Sequence, residues 1–203
     1  EYTQLETGLT RIGFKSVTAA IINMAKHGAY TDRRRYVVVA TKTPKDFEFP
    51  EPMVNFPGCK RVMIPADTVP PAMRARHYEA TRMPAWHNDG FRSKKIGTVT
   101  RGDGSSGRQR QLHNRLYDPK FPMPTITSSY TYGGNKGSQW VRDDKGARQW
   151  TLAEECALHN LDSTALDFLL KQRPGDALGY ITRSFPVAPL VALYKGFERC
   201  LRS

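Results

Sequence analysis

The segment GAYTDRRRYVVVA, residues 28–40, limits the possible folds more than any other part of the chain. A glycine-led turn is followed by three consecutive arginines, Arg33, Arg34 and Arg35, and then by the run YVVVAT at residues 36–41. Side chains branched at Cβ favour extended backbone, and a nearly continuous apolar run predicts a strand covered on both faces. The arginines then stand at the mouth of that strand as fixed positive charge, where an anion or a nucleic acid could be held.

The rest of the charge supports the same partner class. The 203-residue chain has 31 Lys and Arg against 19 Asp and Glu, a net charge of +12, and a mean hydropathy of −0.56. Half of the excess lies in residues 81–115, where eight basic residues (Arg82, Arg92, Lys94, Lys95, Arg101, Arg108, Arg110, Arg115) face two acidic ones, Asp89 and Asp103. Gly90, Gly97, Gly102, Gly104 and Gly107 share that window, which predicts a loop-rich segment able to follow a phosphate backbone. Cationic side chains that replace condensed counterions make nucleic acid the leading partner. No apolar run approaches the ~18 residues a membrane span needs, so no membrane role is expected. Cys59, Cys156 and Cys200 form no CxxC pair and no zinc set with the five histidines. They read as reduced structural thiols of an intracellular protein, and no metal is expected.

Leu5, Leu9 and Ile12 recur at helical spacing, so residues 2–11 read as a short helix. Residues 14–23 read as a strand or its approach, 24–32 as a loop, and 36–41 as the clearest strand. Pro44, Pro50, Pro52 and Pro57 then mark a linker. Residues 61–132 suggest a small irregular unit with short strands, and 133–146 a loop. Thr151 with Glu154 three positions on is a capping-box pattern that opens a helix over 152–159. A second helix is expected over 164–172, a short extended piece over 179–185, and a last amphipathic helix from about 189 to 201.

Four segments, in order, resemble motifs of the cytosine-5 DNA methyltransferases. IINMAKHGAYTDRRRYVVVA resembles that family's strand, Gly-Val-Pro-Gln turn and alternating arginines; Gly28, Arg33 and Arg35 match, with Tyr30 at the proline and Thr31 at the glutamine. FPMPTITSSYTYGGNKG, with KKIGTVTRGDGSSGR upstream, resembles the end of the target-recognition domain. ARQWTLAEECALHNLD resembles the Arg-x-Leu-Thr-x-x-Glu-Cys helix, read with Arg148, Thr151, Glu155 and Cys156 matched and Glu154 replacing an arginine. GYITRSFPVAPLVAL resembles the final motif, Ile-Gly-Asn-Ser/Ala-Val-Pro; Ile181, Ser184 and Pro186 match, and Thr182-Arg183 replace Gly-Asn. The family's glycine-rich cofactor loop, Pro-Cys nucleophile loop and Glu-Asn-Val motif are not among these residues. Cys59, in Pro57-Gly58-Cys59, lacks the nucleophile's neighbours.

The resemblance implies an α/β fold: the C-terminal portion of a Rossmann-like methyltransferase sheet, with a small irregular, β-rich recognition domain inserted. Residues 1–56 and 147–203 would belong to the catalytic domain and 57–146 to the recognition domain. It implies that Arg35 reaches the O2 side of a flipped cytosine and that Arg33 fixes the nucleophile loop or the backbone. Ser184 and Arg183 would face S-adenosylmethionine. Arg92, Lys94, Lys95, Arg101, Arg108, Arg110, Thr125, Thr127 and Ser128 would contact double-stranded DNA. The chain alone would be inactive and would need a protein partner or segment carrying the nucleophile and cofactor loop. The alternative is a catalytically inactive, methyltransferase-like scaffold that binds nucleic acid. Either would work inside the cell, in cytoplasm or nucleoid for a bacterial or phage protein and in the nucleus for a eukaryotic one.

Overall fold

The computed structural model describes residues 2–75, 77–80, 94–100, 115–125 and 139–202. Helix α1 (Tyr2–Arg11) leads through Gly13, at φ +98°, into strand β1 (Ser16–Asn23). β1 pairs antiparallel with β3 (Arg34–Thr41), from Ser16 opposite Thr41 to Asn23 opposite Arg34. Only one face of this ribbon is sealed. There Ile22, Ala20 and Val37 pack with Phe49, Phe185 and Leu193 around Met24 and Ala29. On the other face Ile21 and Tyr36, cross-strand partners, are 71% and 53% exposed. The expected burial on both faces is therefore corrected. Alternate residues of a strand point to opposite sides, and on the second face the ring of Tyr2 from α1 meets Tyr36 edge-to-face while Ile21 stays exposed.

The expected loop over 24–32 is more regular than its sequence suggests. Asn23 caps a 3-10 turn, Met24–His27, by accepting from the Ala25 N–H at 3.1 Å. Gly28 closes that turn in the left-handed region at φ +94°, where a Cβ would also come within 3.2 Å of the Ala188 methyl. Strand β2 (Thr31–Asp32) follows and pairs in parallel with β7 (Met123–Pro124). The proline-rich stretch continues into three 3-10 turns, Cys59–Val62, Ala66–Thr68 and Pro71–Met73.

A five-stranded sheet is formed by β4 (His77–Ala80), β5 (Lys95–Thr100), β6 (Arg115–Tyr117), β8 (Gln139–Asp143) and β9 (Gly146–Gln149), in the order β4-β5-β6-β8-β9. β6 and β8 are parallel and the other neighbours antiparallel. The expected loop over 133–146 is thus corrected from Gln139 onward: Trp140 and Val141 are buried core residues. One cluster of Cys59, Tyr117, Met123, Val141, Trp150 and Leu158 joins the 3-10 region, the sheet and the helix that follows.

Four helices close the chain: α2 (Leu152–Leu158), α3 (Ser163–Leu170), α4 (Pro174–Arg183) and α5 (Val187–Arg202). The capping box opens α2 as expected, with Thr151 accepting from the Glu154 N–H and the Glu154 carboxylate accepting from the Thr151 N–H. Within the expected extended piece over 179–185, residues 179–183 are instead the last turns of α4, and Ser184, its cap, is extended. Pro174 sits at the start of α4, where its missing N–H costs nothing, and Ala177 and Ile181, one turn apart, bury against Cys156 and Leu169.

A buried ion cluster fixes α2 to the sheet. The Arg148 guanidinium, fully buried, donates to both Glu154 carboxylate oxygens at 2.8 and 2.7 Å and to Asp143 at 2.9 Å. Asp143 also accepts two bonds from Arg74 at 3.1 Å, and Glu154 accepts from the Ile64 N–H at 2.8 Å. The carboxylate that answers Arg148 is therefore Glu154, six residues on, the spacing of the Arg-x-Leu-Thr-x-x-Glu pattern. The correspondence drawn through Glu155 moves back by one residue.

Candidate functional site

The arginine segment, the end of α2 and the α4–α5 turn meet at one seam. Arg33 lies between β2 and β3 with its side chain only 6% exposed. Its Nη1 donates to the Ser184 carbonyl at 3.0 Å, a bond between residues 151 apart. Burial, and then the charge of nearby Arg35, lower its pKa from the ordinary guanidinium value. The Arg33 Nε and the buried Thr31 hydroxyl have no hydrogen-bond partner among the described residues.

Ser184 caps α4 with its N–H bonded to the Tyr180 and Ile181 carbonyls. Its hydroxyl donates to the Ile181 carbonyl at 2.7 Å and lies 3.0 Å from His159 Nδ1. His159 is fully buried at the end of α2, and its carbonyl accepts from the Val187 N–H at 3.1 Å. Burial, helped by the Arg33 charge, pushes the imidazole pKa down to about 4. Asn160 follows at φ 56° and donates from Nδ2 to the Gly28 carbonyl at 3.2 Å. Sequence reasoning passed over His159 and Asn160. The available signal was an asparagine directly after a helix end, where left-handed backbone is often needed.

The other expected site residues are spread more widely. Arg35, half-buried in β3, donates from Nη1 to the Arg34 carbonyl at 2.8 Å. Thr125 comes to the same seam, its hydroxyl donating to the Asp32 carbonyl at 3.0 Å beside the β2–β7 pair. Arg183 is exposed in the last turn of α4. Lys94 stands 5.0 Å over the Phe121 ring, and Lys95 begins β5 opposite Tyr117. These two lysines belong to the five-stranded sheet rather than to the seam. Arg92, Arg101, Arg108, Arg110, Thr127 and Ser128 lie outside the described residues.

Cys59 is fully buried, donates to the Tyr30 carbonyl at 3.2 Å, and has its thiol pKa raised by burial. A thiol held protonated in the core is a poor nucleophile. Under native conditions Cys59 is expected to resist a disulfide reagent such as Ellman's, and to react only after denaturation. Labelling of the folded protein at the denatured rate would show the site to be open. Among the described residues no group of three or more His, Cys, Asp or Glu is placed to hold a metal, and no helix is long and apolar enough to cross a membrane.

The fold itself is that of a methyltransferase-like α/β protein. It is similar to the solved structure of the Entamoeba histolytica methyltransferase EhMeth at 12% identity and a TM-score of 0.60, covering 96% of this chain and 56% of that one. It is also similar to the S. pombe Dnmt2 methyltransferase at 10% identity and a TM-score of 0.57, covering 96% of this chain and 60% of that one. The chain thus spans somewhat more than half the length of these two neighbours. No protein-family model matches it, and no curated protein does.

The residues named for S-adenosylmethionine do not form a pocket for it by themselves. The Ser184 hydroxyl, carbonyl and N–H are all engaged within the fold, and Arg183 points its charge from an exposed helix end. What the seam does supply is a buried arginine, Arg33, bonded to the Ser184 carbonyl, with Arg35 two residues on in β3.

Proposed function

We propose that the chain forms the DNA-recognition and C-terminal part of a cytosine-5 DNA methyltransferase that uses S-adenosylmethionine. A further segment or a separate chain would supply the nucleophilic cysteine and the cofactor loop. The observation that carries this reading is the convergence of two distant segments that resemble family motifs, in which Arg33 bonds to the Ser184 carbonyl. The two methyltransferase neighbours support it: nearly all of this chain superposes on little more than half of each. In this reading residues 57–146 approach DNA, and 1–56 with 147–203 complete the catalytic domain. The exposed apolar residues Ile21 and Tyr36 on the ribbon, and Leu190, Val191 and Tyr194 on α5, offer surface for the complementing part.

Cytosine must leave the base stack before its C5 can be alkylated. Attack of a thiolate at C6 pushes electron density onto the ring, and an arginine donor fixed at the O2 side stabilises that charge. Arg35 takes that role, while Arg33, turned toward Ser184, holds the backbone beneath it.

The chain is isolated from its source cells with any copurifying polypeptide kept, and incubated with S-adenosylmethionine carrying a labelled methyl group and duplex DNA. Label is expected on cytosine. Arg35→Ala is expected to lower transfer by about 100-fold or more while DNA affinity is retained, the usual scale for losing one preorganised donor. DNA binding without transfer by any complex, and without stabilisation by S-adenosylmethionine, would replace this reading by that of an inactive scaffold.

A further inference from the structure

We propose that His159 and Asn160 are positioning residues that set the Arg33 guanidinium against the α4–α5 turn. The role rests on the functional reading above only for its catalytic consequence; the positioning itself stands on the geometry of the seam.

Five hydrogen bonds form the three sides of a triangle. Asn160 holds the loop before Arg33 by donating a hydrogen bond from Nδ2 to the Gly28 carbonyl, and the Tyr30 N–H donates to the Leu158 carbonyl on the same seam. His159 holds the turn after α4 twice, through its ring to Ser184 and through its carbonyl to the Val187 N–H. Arg33 closes the third side by bonding to the Ser184 carbonyl. The two-residue end of α2 is therefore anchored to both segments that the arginine joins.

Proton counting fixes the form of the ring. A serine hydroxyl has one hydrogen, and that of Ser184 is given to the Ile181 carbonyl at 2.7 Å. The imidazole must then be the donor, with its hydrogen on Nδ1 and a bare lone pair on Nε2, which has no partner among the described residues. The low pKa agrees with a ring kept neutral beside a guanidinium. The left-handed backbone of Asn160 is the second device: it turns the chain sharply enough for consecutive residues to reach opposite sides of the seam.

The test uses the full chain and reads Arg33 directly. In proton–nitrogen spectra the Arg33 Nε–H, assigned by its disappearance in Arg33→Lys, is expected to be shifted from the exposed arginines and slow to exchange. His159→Ala should return it to the exposed position. His159→Asn, whose amide nitrogen overlays Nδ1, should preserve it, and His159→Gln, whose amide overlays Nε2, should not. If His159→Ala does not fold, the Gln and Asn pair and Ser184→Ala carry the comparison. An Arg33 signal unchanged in folded His159→Gln and Ser184→Ala overturns the proposal. In an active complex, His159→Gln should lower kcat by about 10- to 100-fold with KM for DNA unchanged, and His159→Asn should recover it, the scale of a slight misplacement at a reacting centre. Collapse of the Arg33 signal without transfer by any complex supports the positioning and counts against the enzyme reading alone.

Discussion

Replacing Glu154 by glutamine is expected to destabilise the protein by about 3–5 kcal/mol, the cost of removing one partner from a buried ion pair. Glutamine keeps the size of the side chain and can still close the capping box, but its NH2 then faces donors at the other oxygen position, the Ile64 N–H and Arg148, so the loss combines the missing charge with broken hydrogen bonds. Arg148 would remain fully buried with Asp143 as its one carboxylate, and Asp143 is already shared with Arg74. Against a total stability of about 5–15 kcal/mol for a domain, this is a large fraction. The urea midpoint should fall steeply with little change in slope. Replacing Arg148 by methionine and Glu154 by leucine together should recover only part of the loss. The Ile64 and Thr151 N–H groups that Glu154 accepts would stay buried without partners. A variant Glu154→Gln as stable as the parent would show that the cluster contributes nothing net.

Stability is expected to fall between about pH 6.5 and 8, and the group responsible is Glu155. Burial, and then the neighbouring charge of Glu154, push its carboxyl pKa up to about 8 from an ordinary 4.5. The folded state thus keeps a proton that the unfolded chain has lost. The associated stability is fully present below pH 4.5 and is lost as pH rises to about 8, up to roughly 5 kcal/mol for a shift of this size. His159 acts in the opposite sense. Its pKa of about 4, against 6.5 when unfolded, gives stability that is present above pH 6.5 and lost as pH falls toward 4. The two slopes cancel between about 4.5 and 6.5, so urea midpoints should be highest and flat there. Glu155→Gln should match the parent at pH 4.5 and exceed it clearly at pH 9. Parallel profiles for parent and variant would assign the alkaline loss to another group.

Much of the outline was legible because local rules governed it. The capping box set the start of α2, and the β-branched run located β3. The misreadings came where local preference was overruled. Residues 179–185 are expected to be extended, yet Pro174 starts a helix that runs to Arg183, and Ala177 and Ile181 drive its burial. The glycine-rich stretch before Gln139 hid β8, whose Trp140 and Val141 are core residues. At the site, Arg33 and Ser184 were found through resemblance to ordered motifs, because no spacing rule links residues 151 apart. His159 escaped notice because a lone histidine at a helix end has no pattern. Its meaning lies in a serine that reaches it only after two more helices have packed.

The Arg33–Ser184 bond also dictates an order of events. An emerging chain can close the β1–β3 ribbon early, since its strands are near in sequence, joined through the 3-10 turn Met24–His27 and β2. The Arg33–Ser184 contact cannot form until α2, α3 and α4 have been made and folded back. A product interrupted before residue 184 would keep Arg35 in the ribbon, but Arg33 would lack the Ser184 carbonyl that its guanidinium meets. The turn between α4 and α5 therefore supplies a contact to Arg33 that only chains extending past residue 184 can make.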